Sequence, residues 1–300
     1  MASFKYYTLD VFTNKAFGGN QLAVFPEAEG IEEEYLQKIA NELNLSETTF
    51  VYPPTEPSCD YKVRIFTPGQ ELPMAGHPTL GTAYILATLG DLYGKKELTM
   101  TLEEGVGPIK VDLVIDNGKP GLITMQQPNP KISEPFGDRA SIAKLLSLQE
   151  DQLVPELPIQ VFDCGVPYMI IPVKDLQSVE SIKFRLDVYD ELYQAYKIPF
   201  TLAYTLETVD PQNQVHCRMF APEAGVLEDP ATGSAHGPLG SYLATYEILA
   251  QGDIAFTSEQ GYELGRPSEL KVEIQKSGDE ISKVLVGGTC VPIGEGVLKA

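Results

Sequence analysis

The sequence predicts an α+β protein of two pseudo-symmetric domains, each a β-sheet or barrel wrapped around a central helix. Three observations carry that expectation. A chain of 300 residues suits two domains of ordinary size better than one core. Strand-like runs recur in both halves and outnumber helical ones. Signature segments of the first half also return in the second at a nearly constant spacing.

Taken in order, YYTLDVF, QLAVF, TTFVYP, YKVRIF and LITMQ in the first half are rich in β-branched and aromatic residues and read as strands. So do IQVFD, YMIIPV, TLAYTLE, HCRMFA and SKVLVGG in the second. Between the early strands, Ile31 to Leu43 predicts an amphipathic helix. Ile31, Tyr35, Ile39 and Leu43 step by four, Leu36 and Ala40 widen the stripe, and Glu32, Glu33, Glu34, Lys38 and Glu42 oppose it. A second helix, from Pro78 to about Leu89, has almost no polar face and is expected to be enclosed on all sides. A third, from about Ser234 to Ala250, is similarly apolar. Pro238 would sit too deep in a helix begun at Ser234, so an irregular first turn or a later start is expected there.

The repeat is specific. Arg64-x-Phe66-x-Pro68 returns as Arg218-x-Phe220-x-Pro222 at an offset of 154, and Pro73 and Gly76 match Pro230 and Gly233 at 157. Upstream, Asp10 and the following Gly-Asn-x-Leu-Ala-Val-Phe segment faintly echo Asp163 and Gly-Val-Pro-Tyr-Met-Ile-Ile. Gln127-Pro128-Asn129-Pro130 is the natural crossing point, because two close prolines end a strand and stiffen a linker.

Charge narrows the partners. With 22 Lys and Arg against 42 Asp and Glu, the net charge is -20, which argues against nucleic acid and against an anionic membrane surface. A carboxylate substrate would be opposed by that field and would need local donors, such as the amides of a helix start. No basic segment followed by an apolar core opens the sequence, and no apolar stretch is long enough to span a bilayer. Cys59, Cys164, Cys217 and Cys290 lie far apart without metal-ligand spacing, which fits buried thiols in a cytoplasmic protein and no bound metal.

Under a duplication the helix starts Gly76-His77-Pro78-Thr79 and Gly233-Ser234-Ala235-His236 are expected to face one cleft, each offering unpaired amides and a positive dipole end. Asp229, Thr232 and Ser234 precede or open the third helix and could equally be its N-cap. The Ser234 context, Thr-Gly-Ser-Ala-His-Gly, is not a nucleophile elbow. Gly105-x-Gly107 lacks the third glycine and helix of a dinucleotide site and reads as a strand turn, so no cofactor is implied. Glu47 falls between the first helix and the strand TTFVYP. Alone it is an ordinary loop acid, whereas in a cleft near Asp229 it would be a candidate general base and then general acid.

These segments resemble the phenazine-biosynthesis-like family, whose fold is that of diaminopimelate epimerase. The resemblance rests on Asp10-Val11-Phe12, Gly19-Asn20, Leu45 to Phe50, Phe66-Thr67-Pro68, Gly76 to Thr79, Phe220-Ala221-Pro222 and Glu228 to Ala235. It implies that Glu47 is the acid/base residue of a cofactor-independent isomerase, moving a proton between two carbons of a small carboxylic acid, expected to be cyclic. His77, Asp229 and Ser234 would orient the substrate and assist, with Asn20, Gly76 and Gly233 binding it. The isomerisation of trans-2,3-dihydro-3-hydroxyanthranilate is the family's best-understood reaction. The expected partition is residues 1–127, completed by a C-terminal strand at 284–300, and 128–283, with the active site in the cleft between them and a homodimer as the assembly.

Two departures stand out. Gln21 occupies a position where the family commonly has Pro, and neither helix-start loop carries the cysteine of related epimerases, which disfavours a two-thiol racemase. A racemase without the cysteine pair, or a carboxylate-binding protein that has lost catalysis, are the alternative readings.

Overall fold

The structure is a computed structural model that describes residues 2–299. The chain divides into two compact units, Met1–Gln126 with Gly287–Ala300, and Gln127–Val286. In the first unit the order is β1 (Ser3–Val11), β2 (Asn20–Phe25), α1 (Glu33–Leu43), β3 (Glu47–Tyr52), β4 (Tyr61–Phe66), β5 (Glu71–Leu72), α2 (Gly76–Leu89), β6 (Glu97–Glu104), β7 (Gly107–Asp116) and β8 (Lys119–Gln127). The second unit holds β9 (Lys131–Ile132), α3 (Arg139–Leu146), β10 (Gln160–Asp163), β11 (Pro167–Pro172), α4 (Leu176–Glu180), α5 (Leu186–Tyr196), β12 (Phe200–Thr205), β13 (Val215–Ala221), β14 (Val226–Asp229), α6 (Gly233–Thr245), β15 (Ile254–Gln260), β16 (Ser268–Ser277) and β17 (Glu280–Gly288). The chain then supplies β18 (Cys290–Lys299), which pairs along the whole of β1. The α+β class with two domains, expected from the sequence, is the one observed.

Strand pairing repeats between the units. In the first, β1 pairs antiparallel with β2, β2 parallel with β3, β3 antiparallel with β4, and β4 antiparallel with β5 and parallel with β6. In the second, β10 to β15 repeat that sequence of antiparallel and parallel pairings step for step. Each unit encloses its apolar helix. α2 is buried from Gly76 to Ala87 and packs on β1, β2, β3, β6 and β7, while α6 packs on β10, β11 and β16. Close approach explains Gly81 in α2, where an added Cβ would lie 2.5 Å from Leu22.

Hydrogen bonds also repeat. Glu103 accepts from the Thr55 and Glu56 amides and pairs with Lys62, tying down the loop between β3 and β4. The second unit places Glu259 on the Val209 and Asp210 amides and on His216, at the same register of the parallel strand pair. His216 is fully buried, with Nδ1 2.8 Å from Glu259 and Nε2 2.9 Å from Glu263. Burial works against its charge, but the two flanking carboxylates win and raise its pKa to about 9. Arg64 likewise sits between Glu33 and Glu71 and over Phe66, as Arg218 sits on Glu228 and over Phe220.

Several local expectations are corrected. The enclosed helix of the first unit begins at Gly76, so Pro78 is its third residue, still within the turn that needs no N–H partner. The third helix runs without a break from Gly233 to Thr245, shorter than expected, and Pro238 lies inside it rather than displacing its start. Gln127 Nε2 donates to the Gly233 carbonyl there at 2.9 Å, bracing the first turn from outside the helix. Helices α3 and α5 were not anticipated, although α5 buries Val188, Tyr189 and Leu192 at helical spacing. Gly105 and Val106 form the turn between β6 and β7, as expected from the missing third glycine.

Candidate active site

Two predicted residues of the first unit, Asn20 and Glu47, converge on the imidazole of a third, His77. Asn20 opens β2, Glu47 opens β3, and His77 is the second residue of α2. Because β2 and β3 are parallel, with Leu22 beside Glu47, both strand starts lie at one end of the sheet. His77 Nδ1 is 3.2 Å from Asn20 Nδ2, and its Nε2 is 2.8 Å from Glu47 Oε2. Asn20 and His77 are buried, and the Glu47 side chain is 12% exposed, leaving it within reach of a small molecule.

The partners decide the tautomer. An amide nitrogen can only donate, so Nδ1 of a neutral His77 accepts and the ring proton resides on Nε2, facing Glu47. The Glu47 oxygen lies off the line of that N–H, a loose contact of the kind that tightens when substrate binds. Local backbone fixes Asn20. Gly19 has φ +62, and a Cβ there would lie 2.3 Å from the Val11 carbonyl, so the turn into β2 requires glycine. Asp10 Oδ2 accepts from the Phe17 amide at 2.7 Å, holding a residue at φ 71. Gln21 is exposed, with its backbone beside Asp10 on β1.

The entry to α6 in the second unit gathers the other predicted residues. Asp229 ends β14 and its Oδ2 accepts from the Thr232 hydroxyl at 2.5 Å. Thr232 is the N-cap residue, yet no side chain caps the helix, because its hydroxyl is turned to Asp229. Ser234, the second residue of α6 as His77 is of α2, lies with its Oγ 2.8 Å from the Tyr168 hydroxyl. Gly76 and Gly233 are the first residues of their helices, and neither helix has a side-chain cap.

Register makes the two units unequal. Leu22 stands beside Glu47 on the parallel pair of the first unit, and Tyr168 stands beside Phe200 on the matching pair of the second. An apolar ring therefore occupies the place of the carboxylate, and the acid is present once. His236 is fully buried with Nδ1 on the Thr232 carbonyl, and burial lowers its pKa to about 4, so it is a neutral packing residue. Cys217, 3.5 Å from His236, is pushed by burial up to about 12, and Cys164 is raised as far, so neither is a ready thiolate. Among the described residues no cluster of His, Cys, Asp and Glu is arranged to hold a metal ion.

Tyr168 and Gln260 escaped the sequence reading. Gln260 Nε2 donates to the Asp229 carbonyl and the Thr232 hydroxyl, and its Oε1 accepts from the Thr232 amide. Only strand adjacency reveals either contact. The faint echo between Gly-Asn-x-Leu and Gly-Val-Pro-Tyr was the signal that could have drawn attention to Tyr168.

Residues 9–296 match the family model described as phenazine biosynthesis-like protein. An uncharacterised isomerase of Mesorhizobium japonicum is 34% identical, with 99% of each chain covered. The trans-2,3-dihydro-3-hydroxyanthranilate isomerase of Pseudomonas aeruginosa is 32% identical over 97% of this chain and 98% of its own. Among solved structures, a Bacillus anthracis phenazine biosynthesis protein of the PhzF family superposes with a TM-score of 0.90 at 30% identity, covering 100% of both chains. Repeated sheet, enclosed helices and full-length similarity agree, and the chain belongs to the phenazine-biosynthesis-like family and is an isomerase.

Proposed function

We propose that this isomerase shifts a proton between two carbons of a small, expected cyclic, carboxylic acid without a cofactor, with Glu47 as general base and then general acid. The observation that supports this reading best is the His77 imidazole spanned by Asn20 and Glu47. A carboxylate that is mostly enclosed, slightly accessible and beside a fixed N–H can take a proton from carbon and return it to another. His77, with its proton on Nε2, orients that carboxylate and donates to it as charge returns. Asp229 and Ser234 are assigned to holding the polar substituents of the substrate, and Asn20, Gly76 and Gly233 to its binding.

The relative from Pseudomonas aeruginosa is named for isomerising a cyclic amino acid, which supports a substrate of that class. The exchange of Glu47 for Phe200 in the second unit supports a single acid/base carboxylate used twice. Glu47→Gln keeps the shape and removes the base. Turnover of a confirmed substrate is expected to fall by about 10²–10⁴-fold, the usual share of a positioned acid/base group. Deuterium from D₂O should enter the substrate only with Glu47 intact. A variant turning over at the wild-type rate would remove Glu47 from the mechanism.

A further inference from the structure

A second glutamate of the first unit lies close to the His77 helix and is used by nothing described so far. Glu104 ends β6 and is buried, and its Oε1 is 2.5 Å from the Thr79 hydroxyl. The same hydroxyl is 2.6 Å from the Ala75 carbonyl. One hydroxyl carries one proton and cannot donate to both. A backbone carbonyl has none to give, so the Thr79 proton belongs to Ala75, and the short contact to Glu104 needs a proton from the carboxyl side. The remaining oxygen, Oε2, is buried without a hydrogen-bond partner, a costly place for a charge and a tolerable one for the carbonyl of an acid.

The surroundings agree. Among the described residues no cation pairs with Glu104. On β4, Lys62 is engaged by Glu103, and Arg64 by Glu33 and Glu71. Lys110 on β7 pairs with Asp112, and His77 and Tyr84 are the titratable side chains of α2. The second unit supplies an internal comparison. Lys62 stands beside Glu103 and His216 beside Glu259 on the equivalent parallel pairs, so the following residues, Glu104 and Gln260, are counterparts. Gln260 is a neutral amide of the same shape, and it too hydrogen-bonds the entry of a helix, at Thr232 before α6 where Glu104 meets Thr79 in the first turn of α2.

We propose that Glu104 is held as the neutral carboxylic acid and acts as a positioning residue: its proton goes to Thr79 Oγ1, the Thr79 proton goes to the Ala75 carbonyl, and this two-step relay fixes the turn that carries His77. The protonation state stands without any assignment of activity. The consequence for His77 rests on the function proposed above, where that imidazole faces the acid/base carboxylate. Glu104 itself touches no reacting atom in this scheme.

Infrared difference spectra between the wild type and Glu104→Gln near neutral pH test the first part. The carbonyl band of a protonated carboxylic acid is expected in the wild type and absent in the variant; its absence from both would overturn the proposal. Ring ¹⁵N and ¹H resonances of His77 test the second part without substrate. Thr79→Val, which keeps the volume and breaks the relay, should shift those resonances and the midpoint of the His77 titration, while Glu104→Gln leaves them in place as the neutral isostere. Unmoved resonances in Thr79→Val, or a Glu104→Gln variant shifted as far as Glu104→Ala, would equally overturn it. Should Glu47→Gln prove fully active while these signals behave as expected, the relay stands and the proposed chemistry falls.

Discussion

Asn20 sets which ring nitrogen of a neutral His77 carries the proton. Its amide nitrogen faces Nδ1, which leaves the ring proton on the nitrogen beside Glu47. Asn20→Asp replaces the donor by an acceptor, so the ring should either reverse its tautomer or become imidazolium. Nitrogen-15 spectra of His77 should then report a protonated Nδ1, and turnover should fall by at least about 10²-fold, since a wrong tautomer in an acid/base pair can cost about 10⁴-fold. Ser234 presents a milder case. Loss of the Tyr168 partner in Tyr168→Phe frees the Ser234 hydroxyl to rotate, and KM is expected to rise by about 5–10-fold with kcat little changed, given that one neutral hydrogen bond contributes about 1 kcal/mol. Steady-state kinetics on a confirmed substrate separate the two constants.

At the scale of elements, the turn before β2 is tightly constrained. Phe12, Phe17 and Gly19 have φ of 65, 71 and 62, and only the last is a glycine. Gly19→Ala adds a Cβ against the Val11 carbonyl and is expected to destabilise the protein by about 1–3 kcal/mol, read as a lower denaturant midpoint at unchanged slope. The elements readable in the sequence were those with a strong local signal. The stripe of α1, the wholly apolar run of α2 and the β-branched strands gave themselves away by periodicity, and all three are where they were expected within a few residues. Pro238 misled because a lone proline argues for a break, whereas α6 continues through it while buried against the sheet. Glu104 carries no local signal in the sequence, and only its neighbours in the fold make it a buried group. Gln260 was illegible for the same reason, and Tyr168 showed only through its faint echo of the first half: their partners are distant in sequence and meet only in the fold.

For the whole molecule, the two buried proton-holding groups, His216 and Glu104, respond to alkali in the same sense. Below pH 6.5 His216 is protonated folded or unfolded, and its contribution is complete. Between 6.5 and about 9 the unfolded chain loses that proton first, so stability falls as pH rises and the contribution is gone above about 9. Glu104, raised by burial to about 8 from 4.5, acts likewise: the folded state keeps a proton that the unfolded state releases, and stability falls between those values. Below pH 6.5 the lowered His236 opposes Glu104, because there the unfolded chain binds a proton that the folded state does not. Thermal unfolding should therefore show a midpoint that declines from about pH 6.5 to about pH 9, and Glu104→Gln should flatten the part of that decline below about pH 8. A flat profile in the wild type would contradict both assignments. The duplicated clamps at Glu103 and Glu259 show how much of this design repeats, and the replacement of Glu47 by Phe200 shows where it was allowed to diverge. The pairing of β1 with β18, from Ser3 beside Lys299 to Val11 beside Cys290, has a further meaning for a chain made in one direction. On the ribosome, the first unit waits with an open strand edge while residues 127–286 are synthesised, so the unit begun first is completed second, and Asn20, Glu47 and His77 acquire a finished scaffold only after the other unit is whole.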